Sequence, residues 1–186
     1  MYKYIKKFKY GKTAGLLMAL CLILTCAGAF AQTAVYFSPK GGCQDVVKKE
    51  AAKASKKIDV AMYYFTSREI AQEIVKAKDR NVKIRVLLDV SQEALAYSKS
   101  RYLANKGIDV RYHAGKGLMH NKFAVIDDKT LITGSMNWTP TADRSNEENL
   151  LVMSDKGLVK KYSKRFEELW SKARMAEVSD TQEDEE

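Results

Sequence analysis

The stretch His120-Asn-Lys122-Phe-Ala-Val-Ile-Asp127, separated by six residues from Gly134-Ser135-Met-Asn137, decides how this chain is read. From Val125 to Thr133 the residues are apolar and β-branched except for Asp127-Asp128-Lys129. That pattern predicts two strands, about 119–126 and 130–137, joined by a tight turn. Side chains alternate along a strand, so His120 and Lys122 share one face with Ala124 and Ile126. Thr133, Ser135 and Asn137 share a parity on the second strand. Asp127 falls on the opposite parity or at the strand end, which favours a structural role over direct participation. An imidazole, an ammonium, a hydroxyl and an amide therefore converge from neighbouring strands.

This set suits a phosphoryl group. Imidazole attacks phosphorus or moves a proton near neutral pH, lysine neutralises the non-bridging oxygens, and Ser or Asn donors hold those oxygens in place. Nothing in it requires a metal or other cofactor. A zinc site wants several His, Cys or carboxylates at ligand spacing, whereas the chain has two histidines, His113 and His120, and no paired-cysteine motif. A His and a Lys two apart are common on solvated faces, and a Gly-Ser pair can serve turn geometry alone, so the weight rests on the whole pattern.

The spacing H-x-K-x4-D-x6-G-S-x-N, complete across His120, Lys122, Asp127, Gly134, Ser135 and Asn137, resembles the signature of the phospholipase D superfamily. The order of Val35–Pro39, Ile58–Thr66, Val82–Asp89, the motif and then Ser145-Asn-Glu-Glu148-Asn149 is similar to that family's small bacterial single-motif endonucleases. The resemblance implies that His120 forms a covalent phosphohistidine and that a second histidine protonates the leaving oxygen. It also implies that Glu148 accepts a hydrogen bond from His120, with Glu147 pointing elsewhere. H-x-K occurs once, and His113 in Tyr112-His-Ala-Gly-Lys116 lacks the accompanying pattern. The second histidine is then expected from a two-fold homodimer with one shared site, as in the single-motif members.

Outward from the motif, apolar segments near 34–37, 58–65, 82–88, 108–112 and 149–153 read as further strands. Segments 43–56, 68–79, 91–106 and 155–175 read as helices, the last with Leu158, Tyr162, Phe166, Leu169 and Trp170 as a core-facing stripe. The expected fold is α/β, a mixed sheet flanked by helices on both faces, which is also the fold the resemblance implies. Residues 139–147 read as a polar loop. Tyr63-Tyr64-Phe65-Thr66 and Trp138 bring aromatic surface toward the phosphate site, where Trp138 is a candidate for stacking on bases, although alternate members of such a run also face the core. Lys116 and Arg144 are candidate phosphate contacts from proximity alone.

At the amino terminus, Met1–Lys12 carries five lysines and no acid, residues 14–31 are almost wholly apolar, and Ala29-Phe30-Ala31 offers a signal-peptidase site. We expect residues 1–31 to be a signal peptide cleaved before Gln32, giving a periplasmic or secreted protein. An uncleaved membrane anchor is the alternative. Cys43 then remains as the one cysteine, read as a small buried residue or, less simply, an intersubunit bridge. Residues 32–176 form one catalytic domain, and 177–186, with six acids and no base, an unfolded tail.

The net charge is +9 overall and +10 for residues 32–176. A basic body suits a polyanion, although solvated lysines give the same sum. Three functions follow as expectations: a metal-independent nonspecific endonuclease on DNA or RNA, a phospholipase D acting on phosphatidylcholine-type lipids, and a non-catalytic phosphate- or membrane-binding protein. Charge and the single motif favour the first.

Overall fold

The computed structural model describes residues 32–176, so the expected signal peptide (1–31) and acidic tail (177–186) lie outside the described residues. The strands are β1 (Thr33–Ser38), β2 (Lys57–Met62), β3 (Lys83–Leu88), β4 (Asp109–Tyr112), β5 (Lys122–Ile126), β6 (Thr130–Gly134), β7 (Glu148–Met153) and β8 (Arg174–Met175). The helices are α1 (Cys43–Lys53), α2 (Arg68–Asp79), α3 (Ser100–Asn105), α4 (Pro140–Arg144) and α5 (Lys156–Trp170). One mixed sheet runs β1-β7-β6-β5-β2-β3-β4-β8, with β2, β3 and β4 parallel and the other neighbours antiparallel.

Alternation along the strands builds two cores. Ile58, Val60, Val86, Ala124 and Ile132 meet Val47 of α1, Ile70 and Ile74 of α2 and Leu103 of α3 on one face. Ala61, Leu87, Phe123, Val125 and Leu131 meet Val159, Phe166, Leu169 and Trp170 of α5 on the other. Helices thus cover both faces, as the sequence predicts. Ser67 and Asp155 start α2 and α5 by accepting the N–H groups of Ile70 and Leu158, the donors a helix start leaves unpaired. Cys43 is buried at the start of α1, and burial, then Asp143, pushes its thiol pKa up.

Four expectations need correction. The helix expected over 91–106 is a short 3-10 turn at Val90–Gln92 and the six-residue α3. The segment is tied to the sheet end instead: Gln92 Oε1 accepts Phe65 N–H, and Lys99 N–H donates to Phe65 O. Tertiary hydrogen bonds override helix propensity here. The 139–147 loop contains α4, begun by the Thr139 side chain and Pro140 at the first helical turn, a start signal present in the sequence. The last helix ends at Trp170, and 174–175 pair with β4. In its stripe Leu158 is exposed, and Val159 is buried in its stead.

Arg85 on β3 pins α5 to the sheet. Its Nε donates to Asp59 Oδ1 at 2.7 Å, its terminal nitrogens reach Glu167 at 2.6 and 3.1 Å, and its guanidinium lies 4.8 Å from the Phe166 ring centroid. The Asp59 side chain is 2% exposed, so deleting Arg85 leaves this buried carboxylate, among the described residues, facing one remaining cation, Lys57 Nζ at 3.2 Å. We predict that Arg85→Ala lowers unfolding free energy by about 3–5 kcal/mol. Urea titration checks it; a loss below about 1 kcal/mol would mean the pair behaves as an exposed one.

Candidate active site

The strands β5 and β6 stop short of His120, Ser135 and Asn137. Strand β5 begins at Lys122, β6 ends at Gly134, and His120, Ser135 and Asn137 occupy the segments just beyond. The reason is local at Gly134: its φ is +154°, and a β-carbon there would collide with the carbonyl oxygen of Asn149. Glycine lets β6 close against β7, which sets Ser135 beside Glu148 and Asn149. The chain before His120 is held by Asp89, a buried carboxylate that accepts Met119 N–H at 2.8 Å and both N–H and hydroxyl of Ser91. Burial raises its pKa, but these bonds and nearby His113 prevail and hold it below the ordinary carboxylate value.

Two contact chains join the motif residues. Lys122 Nζ donates to His120 O at 3.0 Å, and the His120 and Tyr63 rings lie 4.4 Å apart between centroids. Tyr63 meets Tyr64 edge-on, and Tyr64 N–H donates to Asn137 Oδ1 at 3.2 Å. On the other side, Ser135 Oγ donates to Glu148 Oε2, while Glu148 Oε1 accepts Asn146 Nδ2 at 3.0 Å. Ser135 Oγ also accepts Asn149 N–H. Burial pushes the Lys122 pKa down, and the Glu148 carboxylate opposes it. His120 and Ser135 are exposed, and Lys122, Asn137 and Glu148 half-buried. The first chain thus gathers the Lys122 ammonium, the exposed His120 imidazole and the Asn137 amide through Tyr63 and Tyr64, and the second reaches it through the charge of Glu148, the partner of Ser135, acting on Lys122.

Several expected roles change. Glu148 bonds Ser135 and Asn146, and no hydrogen bond joins it to His120 among the described residues. Trp138 is 2% exposed, edge-on to fully buried Phe65, and cannot stack on a base. Its N–H and carbonyl bond the backbone of Tyr64, Thr66 and Ser67, which draws the ring into the core. Arg144 and Lys116 are both exposed, Arg144 pairing with Glu69 at 3.1 Å. Asp127 lies at the far end of β5, where its carboxylate accepts Ser55 N–H and hydroxyl and the N–H groups of Lys56 and Lys57, at 2.8–2.9 Å. His113 follows β4, with its N–H on Leu88 O and its ring against Gly115.

Sequence reasoning took Tyr63 only as part of an aromatic run and missed Asp89, Asn146 and Asn149 as supports. Their signals were faint: an acid closing an apolar strand, and two asparagines flanking Glu148. Among the described residues no three His, Cys, Asp or Glu side chains gather as a metal-binding group.

The chain belongs to the phospholipase D-like family: residues 47–170 match the domain described as "Cardiolipin synthase, PLD-like domain". Among its relatives, the mitochondrial cardiolipin hydrolase of Homo sapiens is 38% identical over 120 residues, 64% of this chain and 47% of its own length. The phospholipase D of Rickettsia conorii is 36% identical over 126 residues, 68% of this chain and 63% of its own. This chain spans about half the length of the cardiolipin hydrolases it matches. The crystal structure of Nuc, a phospholipase D family member from Salmonella typhimurium, superposes with a TM-score of 0.76 at 28% identity, covering 80% of this chain and 99% of that one. NucT from Helicobacter pylori has the same fold, with a TM-score of 0.73, 24% identity, and coverage of 78% and 99%.

Proposed function

We propose that this protein is a metal-independent phosphodiester hydrolase whose preferred substrate is DNA, cut without sequence preference. The observation that carries the reading is the joining of His120, Lys122 and Asn137 through Tyr63 and Tyr64, with Glu148, the partner of Ser135, acting on Lys122 through its charge. In the first step an imidazole nitrogen of His120 attacks phosphorus, and the bond to the leaving alcohol breaks as a second histidine gives that oxygen a proton. Water then attacks the phosphohistidine, returns a proton and frees His120. Lys122 offsets charge on the non-bridging oxygens, with Ser135 and Asn137 as neutral donors. An activated histidine replaces the metal-bound hydroxide of other nucleases.

The second histidine comes from a partner copy across a two-fold axis, because the chain supplies only His113 beyond its motif. The +10 charge of residues 32–176 favours a polyanion. The lysine-rich apolar leader ending Ala29-Phe30-Ala31 supports work in the periplasm or outside the cell after cleavage, an N-terminal anchor being the alternative. A lipid substrate is the second reading, favoured by relatives named cardiolipin hydrolase and phospholipase D.

The test incubates purified protein in excess EDTA with plasmid DNA and, in parallel, with phosphatidylcholine or cardiolipin vesicles. Plasmid nicking is expected. Lipid hydrolysis without nicking would replace the nuclease reading with the lipase one, and activity restored only by a divalent ion would overturn the mechanism.

A further inference from the structure

Resting on His120 as the reacting group, we infer that Tyr63 is the positioning residue that holds His120 and Lys122 in their working relation. An exposed imidazole needs something to fix its ring. The expected carboxylate is already engaged, since Glu148 takes Ser135 and Asn146. What touches the His120 ring is the ring of Tyr63, at 4.4 Å between centroids and tilted 58°. The same ring lies 5.0 Å from Lys122 Nζ, within cation–π range. One aromatic side chain therefore packs on both motif groups.

Tyr63 is itself held. Met62 pairs with Lys122, and the next residue, Tyr63, donates its N–H to Asn121 O at 2.9 Å. Its backbone is thereby fixed opposite the residue between His120 and Lys122. Tyr64 meets the ring edge-on at 4.4 Å, closing another side. A ring packed by an imidazole, an ammonium and a second tyrosine is a support rather than an open platform for a base. The phenol hydroxyl is directed to Tyr64, whose hydrogen bond raises its pKa, so packing on His120 and Lys122 falls to the ring.

The test compares Tyr63→Phe and Tyr63→Leu on bis(p-nitrophenyl) phosphate, a small phosphodiester indifferent to whether the natural substrate is nucleic acid or lipid. Misplacing a reacting group by about 1 Å costs on the order of a hundredfold, so Tyr63→Leu should lower kcat by about 10- to 100-fold, with KM changed less than about threefold. Tyr63→Phe should recover most of that loss. In the substrate-free protein, the His120 ring-proton resonances, assigned with His120→Ala, should carry a Tyr63 ring-current shift that persists in Tyr63→Phe and vanishes in Tyr63→Leu. Melting curves ensure that folded proteins are compared. Undiminished kcat in Tyr63→Leu overturns the inference, as does an effect on KM alone, which would make Tyr63 a substrate contact. Equal losses in both variants would assign the work to the hydroxyl. Wild type inert toward every phosphodiester would instead sink the functional reading, while the NMR arm still reports whether Tyr63 packs on His120.

Discussion

His120→Ala should lower kcat for phosphodiester cleavage by about a thousandfold or more, because it removes the nucleophile and leaves only groups that bind and polarise. Its fold should survive. The side chain is exposed, makes no hydrogen bond among the described residues and packs on the Tyr63 ring, so stability should move by about 0.5 kcal/mol or less. The same variant tests the shared site. If two copies contribute one histidine each, a mixed dimer lacks either its nucleophile or its proton donor. Co-expressing wild type and His120→Ala equally should then leave about a quarter of full activity, the fraction of all-wild-type dimers. Independent subunits would retain about half. Single-turnover cleavage of plasmid DNA reads the loss, and sedimentation of the same preparations reads the dimer. An active protein that sediments strictly as a monomer would remove the two-fold mechanism and leave His113 as the remaining source of a second histidine.

The strands that lead to His120 are ones the sequence places well, for a physical reason, although His120, Ser135 and Asn137 themselves fall just beyond them. Period-two alternation around 122–126 and 130–134 assigned each side chain to its face, and the two cores follow that alternation strand by strand. The position of Asp127 at the strand end, one of the two placements read for it, agrees with its separation from His120. Long-range polar choices were less legible. Glu148 has Ser135 at one oxygen and Asn146 at the other, and that preference depends on how closely β6 approaches β7 at Gly134. Trp138 sits next to Asn137 in sequence, yet its backbone bonds to Tyr64, Thr66 and Ser67 carry its ring inward. Residues 91–106 have helical composition, but Gln92 and Lys99 are committed to the backbone of Phe65, seen only once the chain is folded. Propensity and pattern are local, whereas hydrogen bonds across 27 or 73 positions, as for Gln92–Phe65 and Asn137–Tyr64, are not.

Asp127 gives the second large effect, on stability rather than chemistry. Its carboxylate accepts four hydrogen bonds from Ser55, Lys56 and Lys57, which tie the entry of β2 to the exit of β5. Asp127 and Asp128 both have positive φ, 54° and 53°, in the turn closed by Lys129 N–H on Ile126 O, a conformation aspartate tolerates. Several charge-assisted bonds are lost in Asp127→Ala, but the exposed donors of Ser55 and Lys56 regain water, so the expected cost is about 2–3 kcal/mol. Burial alone would raise the Asp127 pKa; the hydrogen bonds from Lys57, Ser55 and Lys56 prevail and depress it. The stabilisation is therefore full above the unfolded value of about 3.9 and is lost as pH falls through the lower folded value. Wild type and Asp127→Asn should differ most near pH 6–7 and converge in acid, which urea unfolding at several pH values would follow. Cleavage below the melting temperature should stay within about twofold, since the strand residues between His120 and Asp127 span roughly 17 Å. An Asp127→Asn protein with wild-type stability and lost kcat would return Asp127 to the chemistry. The structural role also accounts for its place in the motif: a one-residue slip of β5 against β2 would turn Lys122 to the opposite face and take Asn121 from beneath Tyr63. Asp127 serves the site by locking that register from the other end of the strand.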